Sequence, residues 1–472
     1  MVETQASKRE RGQIANSILL LIAFATAFFP RILESMGFPS IINFLHFGVV
    51  PIASGIVLLQ TRVRDKKQIA SVQALIASLV FFFAIMLASA LLNNAGFINV
   101  AMNFLLLAEA YVFLAAIVSI APSPKSLDRF KNWILGFIAL HVGLAFAQDY
   151  LIGIGQLSRG DLTDEDGVQG VFFLSNGGHV VGSFVSMAFG LYYFVSAKSV
   201  PIWIRVAVFA ATFWQMLLAD AKQVLMVFLG AWVLLILSRV KDPLKTLQYV
   251  ILAALVFYAI FWFIFNVDHP IASAFAGWIR PEIYTPEGDA TVLKLGPFRI
   301  LPTFYTSPLN WFLGLGPGHT IGRLGGWMIR DYGYLLNPLG ATSRPYGDAI
   351  WSTWRGHYLD SSFFSPLWGF AGIWGDLGLL GIVGYLGILY VAWQRFCLDD
   401  LSRFIILTIF VNGFIFTQLE EPAYMLSMTT LIGLRWHELH TQQRSQYYQQ
   451  ILDFNFRSLA QFQEQPSDRE QV

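Results

Sequence analysis

The sequence predicts an all-α membrane protein of about twelve transmembrane helices, with both termini cytoplasmic and one long loop on the non-cytoplasmic side. Three observations carry that prediction: the apolarity of the whole chain, the number of apolar runs, and the way basic residues alternate between connections. Of 472 residues, 56% are hydrophobic and 13% charged, and the mean hydropathy is +0.56. A soluble domain of this size carries about a quarter of its residues as charges, so a bilayer is the solvent this composition suits. The net charge of +1 gives no electrostatic ground for a nucleic-acid partner. Cys397 is the one cysteine, which excludes an intramolecular disulfide and a thiolate metal site.

Crossing roughly 30 Å of hydrocarbon takes about 20 apolar residues in a helix. Such runs fall at 13–29, 40–60, 69–92, 99–121, 132–148, 171–196, 203–219, 223–238, 246–266, 376–394, 403–418 and 422–436. The first follows Lys8, Arg9 and Arg11 as a signal peptide would, but its length and the equally apolar runs behind it make it an uncleaved first span. With a cytoplasmic N-terminus, the inward connections hold seventeen lysines and arginines, among them Arg62, Arg64, Lys66 and Lys67, whereas the short outward ones hold Arg31, Arg159 and Lys222. The positive-inside rule therefore places both ends in the cytoplasm. The chain divides into nine spans over 1–266, a large loop over 267–361, three spans over 362–436 and a tail over 437–472. The tail is Gln-rich with interspersed Ile451, Leu452, Phe454 and Phe456, suiting an interfacial helix, a partner contact or a partly ordered extension. No repeat at a solenoid period is visible.

A loop as long as 267–361 in a membrane protein is usually functional. It carries Arg299, Arg323, Arg330, Arg344 and Arg355 against Asp331 and Asp348 over 299–357. Arginine offers a planar fork that grips phosphate bidentately and keeps its charge, so Arg299, Arg323, Arg344 and Arg355 read as an anion site. In the outward turn between spans seven and eight, Lys222 sits at the start of an inward-running helix, where free N–H groups already favour an anion. Asp220 suits the cap of that helix or a salt bridge to Lys222. The run Gly314, Leu315, Gly316, Pro317, Gly318, His319 lets the backbone approach a ligand, and Gly316 and Gly318 suit an anion-binding nest. It lacks the Gly-Lys-Ser/Thr ending of a P-loop.

His357 and His319 lie close in sequence to these arginines, and His357, with Asp360 after it, suits a general base on a sugar hydroxyl. Within the spans, Glu109 is a costly mid-membrane carboxylate and a functional candidate by default. His46, His141 and His179, which are cheaper to bury as neutral rings, read as structural. Glu420 and Glu421 read as salt-bridge partners for the arginines. Asp164, Glu165 and Asp166, in the loop over 149–170, resemble a metal-binding carboxylate group but lack further ligands nearby, so they read as a solvated acidic loop.

Two motifs carry a family resemblance. Trp311, Phe312, Leu313, Gly314, Leu315, Gly316, Pro317, Gly318 resembles a Phe-Gly-x-Gly-Pro-Gly element, and Asp376, Leu377, Gly378, Leu379, Leu380, Gly381 a Glu-x-Gly-Leu-Leu-Gly element. With the long loop between spans nine and ten, these make the chain similar to the O-antigen ligase and O-antigen polymerase superfamily of the bacterial inner membrane. Many members carry Ser-Arg-Gly where this chain has Asp220, Ala221, Lys222. Ligases carry a His-Asn pair where this chain has Ser362 to Ser365, a departure that favours a polymerase-like member.

The resemblance implies a large periplasmic loop, a glycan donor on a polyprenyl diphosphate and an acceptor hydroxyl on another lipid-linked glycan or on a lipid. It implies no metal and no cofactor. Partners would be membrane lipid and other polysaccharide-assembly proteins. Lys222 and the four arginines would share the diphosphate, and His357 or a loop carboxylate would serve as base. The alternative functional classes are a transporter of bicarbonate or a glycan, which would use Glu109 at mid-membrane, and a non-catalytic envelope scaffold.

Overall fold

The computed structural model describes all residues except 1–14, 61–64, 121–123, 159–162, 164, 176, 240–242, 268–279, 360 and 442–472. The regular structure of the described residues is all helix, without a strand. A helix lies on each of the twelve apolar runs: α1 (Asn16–Phe28), α2 (Leu45–Gln60), α3 (Lys66–Asn93), α4 (Phe97–Ser119), α5 (Pro124–Gly153), α6 (Gly178–Ser196), α7 (Ile202–Leu218), α8 (Lys222–Leu237), α9 (Pro243–Asn266), then α12 (Gly369–Arg395), α13 (Asp400–Asn412) and α14 (422–441). Between α9 and α12, the segment expected as one long loop contains α10 (Asp289–Ile300), α11 (Tyr346–Trp354) and several shorter turns of helix. Among the described residues, six helices are long and apolar enough to cross a membrane: 40–60, 66–93, 97–119, 126–153, 178–196 and 369–395. Those features are of a membrane protein.

Helix α4 is the axis of the bundle. Nearly all its residues from Leu106 to Ser119 are buried, as a helix that is apolar on every side must be. α2, α3 and α14 surround it, with α1 outside α2 and the pairs α6–α7 and α8–α13 completing the wall. At the end remote from α10 and α11, ion pairs tie three elements to α14. Arg435 Nε meets Asp399 Oδ2 at 2.6 Å and Arg435 Nη1 meets Glu438 Oε2 at 3.0 Å. Glu438 Oε1 also accepts from Lys131 Nζ at 2.6 Å and Tyr192 OH at 2.8 Å.

Among the helices that begin away from their hydropathy boundaries, α6 and α12 shape the approach to the long loop. α6 starts at Gly178, because Gln148 accepts the N–H groups of Gln169 (2.9 Å) and Gly170 (2.6 Å) and folds the chain before it into a tight turn. α12 starts at Gly369 and is broken at Gly378, whose φ of 65° and ψ of −160° leave the helical region. That break frees the Gly375 and Asp376 carbonyls from the helix ladder. The main chain of the glycine run takes them: Leu315 N–H donates to Gly375 O at 2.8 Å and Gly316 N–H to Asp376 O at 3.0 Å, so the buried acceptors stay satisfied.

The approach is close enough that only glycine fits on either side. A Cβ at Gly314 would overlap the main chain of Asp376 and Leu377, and one at Gly378 would overlap that of Phe312 and Gly314. Both residues also have positive φ, where a side chain is strained by about 1–3 kcal/mol before any overlap. Gly314→Ala and Gly378→Ala should therefore each lower the midpoint of thermal unfolding in detergent by several degrees. Gly387→Ala in the same helix, which meets nothing within 4 Å, should leave it unchanged or raise it.

Candidate functional site

The segment from Asn310 to Arg323 is fixed by side chains that cap its turns. Asn310 Oδ1 accepts Ser307 N–H at 2.9 Å, and its Nδ2 donates to Gly314 O at 2.8 Å and Asn93 Oδ1 at 3.0 Å. Asp376, buried in α12, accepts four hydrogen bonds. Oδ2 takes Gly318 N–H at 2.7 Å and Asn103 Nδ2 at 2.8 Å, while Oδ1 takes Thr320 N–H at 3.0 Å and the Thr320 hydroxyl at 2.6 Å. The glycine run does form an anion nest, and the anion in it is the chain's own carboxylate. Gly316 (φ 106°) and Gly318 (φ 70°) supply the backbone shape that this needs. His319 is enclosed in the same unit, its Nδ1 on Leu315 O at 3.0 Å and its Nε2 on Thr342 Oγ1 at 2.8 Å. Burial holds this imidazole below the usual histidine range, the Arg344 charge adding to that against the Leu315 hydrogen bond.

Arg323 follows directly. Its N–H donates to the Glu420 carboxylate, its Nη1 donates to Glu420 O at 3.1 Å and pairs with the Glu421 carboxylate, and its guanidinium lies 5.2 Å from the Trp327 ring centre. The Nε–H of Arg323 is buried and has no hydrogen-bond partner among the described residues. One helical step further, Arg330 pairs with Asp331 (2.9 Å) and stands 5.3 Å over the Trp351 ring, whose Nε1–H donates to Gly326 O at 2.6 Å.

These groups line a cavity of about 410 Å³, a volume typical of small-molecule sites. Its walls carry three guanidiniums (Arg31, Arg323, Arg330), two carboxylates (Asp331, Glu421), five aromatic rings (Trp327, Tyr332, Trp351, Trp354, Phe416), and the polar edges of Ser175, Ser362, Ser365, Thr417 and Gln418. Cations held against indole faces are favourable, and exposed indole and phenol faces suit the C–H surfaces of a sugar. Arginines beside them suit an anion.

The far wall depends on Lys294. Its Nζ donates to three main-chain carbonyls, Phe363 O (2.7 Å), Ser365 O (2.9 Å) and Ile415 O (2.7 Å), joining α10 to the two segments that contribute Ser362, Ser365, Phe416 and Thr417 to the cavity. Burial pulls this ammonium down to about 7.

Of the residues assigned to the anion site from the sequence, Arg323 lines the cavity, together with Arg330, Asp331 and Glu421, which the sequence placed beside it. Arg299, at the end of α10, and Arg344 and Arg355, flanking α11, are exposed and lie outside its walls. Lys222 is buried at the start of α8 and paired with Asp220, which adopts a positive φ of 47°. His357 Nδ1 accepts Leu359 N–H at 3.1 Å and its ring stacks on Tyr358 at 4.7 Å. Asp360 lies outside the described residues. Glu109 faces His46, Oε2 to Nδ1 at 2.8 Å. Asp166, of the acidic loop, lies 3.3 Å from His179 Nε2. The residues not singled out are Arg31, Trp327, Trp351, Trp354 and Lys294. Three tryptophans among the loop arginines were the available signal for the aromatic wall.

Glu420 gives the site a titration. It lies in the short turn between α13 and α14, and burial pushes its carboxyl up to about 8; Arg323 N–H opposes that, and the nearby Asp376 charge reinforces it. A carboxyl raised in the folded state contributes stability that is full below its unfolded value and is lost as pH rises through the folded value. Thermal stability should therefore fall between about pH 5 and 8, and Glu420→Gln should flatten that decline; an unchanged slope in unfolding scans across this range would contradict the assignment. Lys294→Met should cost about 3 kcal/mol or more in the same measurement, since three enclosed carbonyls lose their donor.

No protein-family model and no curated protein matches the chain.

Proposed function

We propose that this chain is a twelve-span protein of the bacterial inner membrane that transfers or polymerises a glycan carried on a polyprenyl diphosphate, at its non-cytoplasmic face and without a metal. The observation that carries the reading is the cavity at Arg323: a guanidinium fixed on Glu420 and Glu421, with a buried Nε–H lacking a partner among the described residues, under a wall of tryptophans. In such a reaction the bond between the sugar's anomeric carbon and a diphosphate oxygen breaks, and the leaving group departs with the electron pair. Catalysis then consists mainly of holding that charge and orienting the acceptor hydroxyl. Arg323 with Arg31 and Arg330 suits the first task and Trp327, Trp351 and Trp354 the second.

Two further features support the reading. The motifs that resemble the O-antigen ligase and polymerase superfamily, around Gly314–Gly318 and Asp376–Gly381, are hydrogen-bonded to each other beside the cavity. A second cavity, of about 570 Å³, is lined by Leu191 of α6, Phe209 and Phe213 of α7, Phe228 and Trp232 of α8 and Phe404 of α13. An apolar groove of that kind suits a prenyl chain.

Replacing Arg323 by Ala should lower glycan transfer by roughly 10²-fold at a normal protein level, read as shortened or missing surface glycan. Arg323→Lys should recover part of it, and Arg299→Ala, outside the cavity, should behave as the parent. Normal surface glycan in an Arg323→Ala strain with normal protein would overturn the reading. Uptake of bicarbonate or glycan into liposomes without any glycan transfer would put a transporter in its place.

A further inference from the structure

Glu109 lies in the most enclosed helix of the protein, 2% exposed, where an isolated carboxylate would cost several kcal/mol. Its two oxygens face one nitrogen, His46 Nδ1, at 2.8 and 3.1 Å. A carboxylate in that position selects the tautomer with the proton on Nδ1 and turns the other ring nitrogen, Nε2, into an acceptor. The ring is fixed further by Phe47, whose centre is 3.9 Å away. Such a carboxylate–imidazole pair is also how a general base is oriented for proton abstraction.

What the ring faces separates this pair from a merely structural one. His46 lines a small cavity of about 20 Å³, enough for a single water or hydroxyl. Arg31, Arg323, Trp327 and Tyr332 form part of its wall, and the same four residues form part of the wall of the 410 Å³ cavity. With Nδ1 committed to Glu109, Nε2 is the nitrogen that remains for that space. The dyad therefore stands one solvent-sized step from the guanidinium assigned to the diphosphate.

We propose that His46 is the general base of the transfer reaction and Glu109 its positioning residue; this rests on the function proposed above. The acceptor oxygen forms its bond to the donor's anomeric carbon as the bond from that carbon to the diphosphate oxygen breaks. The electron pair leaves on the diphosphate, held by Arg323. The acceptor's proton passes to His46 Nε2, through one water in the small cavity, and the resulting imidazolium is stabilised by the Glu109 carboxylate. The proton is returned to solvent as the diphosphate departs.

The experiment uses the purified full-length protein with a polyprenyl-diphosphate-linked saccharide as both donor and acceptor, reading turnover, KM and their pH dependence. His46→Ala should lower kcat by about 10²–10⁴-fold with KM for the donor little changed, and added imidazole should restore part of the turnover. Glu109→Gln should give a smaller loss and displace the acidic limb of the kcat profile, which a purely structural pair would not do. His46→Gln, which keeps a hydrogen bond to Glu109, serves as the variant that separates folding from chemistry: a monodisperse protein that turns over as slowly as His46→Ala supports the base. Turnover of His46→Ala within about threefold of the parent would overturn the inference while leaving the transfer function standing. A slow His46→Ala that imidazole does not restore, together with an unmoved Glu109→Gln profile, would also overturn it. Absence of transfer by the parent protein would instead remove the function on which it rests.

Discussion

The carboxylate of Asp376 is the group on which the rest of the loop end depends. A buried charge is tolerated only when its oxygens are met by donors, and here four donors from α4 and from the glycine run meet it. Those contacts fix Gly318 and Thr320, and through them the direction in which the chain leaves toward Gly322 and Arg323. The break at Gly378 is the other half of the same device. It opens the helix ladder where Leu315 and Gly316 dock, so side chain and main chain of one residue hold the same turn. Removing such an acceptor leaves several buried donors unmet, a loss of about 3–5 kcal/mol by analogy with broken buried ion pairs.

A second carboxylate continues the arrangement. A Cβ at Gly322 would stand 3.0 Å from Glu420 Oε1 and 3.5 Å from Asp376 Oδ2, so the turn at Gly322 passes between the two acids with no room for a side chain. Two carboxylates so close repel if both are ionised, and Glu420 is the one in the turn between helices whose burial favours the neutral acid. Arg323 then enters with its backbone bound to one acid and its guanidinium to the next, Glu421. The cation of the cavity is thus positioned by the same carboxylates that position the glycine run, which makes it a rigid wall group and not a surface arginine.

Hydropathy and the spacing of apolar runs were enough to locate a helix at each of twelve places, because every such segment must satisfy its backbone internally whatever its neighbours do. What they could not locate was the start of α12, seven residues before its hydropathy boundary, since Gly369 to Gly375 pack as a helix only against the turns around Leu301 and Leu419. The glycine run was readable as a nest, but the anion that fills it comes from 58 residues away in sequence. Lys294 was one lysine among loop residues, and its three carbonyl partners belong to segments 69 to 121 residues distant. Arg31 belonged, by position, to a short connection far from the long loop, so nothing in the linear order joined it to Arg323.

The two ends of the bundle differ in what surrounds their open guanidinium edges, and that difference bears on where a ligand belongs. At the α14 end, Arg435, Lys131 and Tyr192 converge on Asp399 and Glu438, and the buried Nε–H groups of Arg205 and Arg403, which have no hydrogen-bond partner among the described residues, belong to guanidiniums set against the rings of Phe194 and Trp393. At the loop end, Asp376 is equally well met, and Arg323 retains a buried Nε–H with no hydrogen-bond partner among the described residues, in a residue that lines the 410 Å³ cavity. Buried donors in native proteins are nearly always paired, and a charged one left open is costlier than a neutral one. An open guanidinium edge in a polar, aromatic-walled cavity is therefore a demand for an acceptor from outside the chain. An anionic group supplied by a bound molecule would suit that position, whereas, among the described residues, Arg205 and Arg403 line no cavity of comparable polarity.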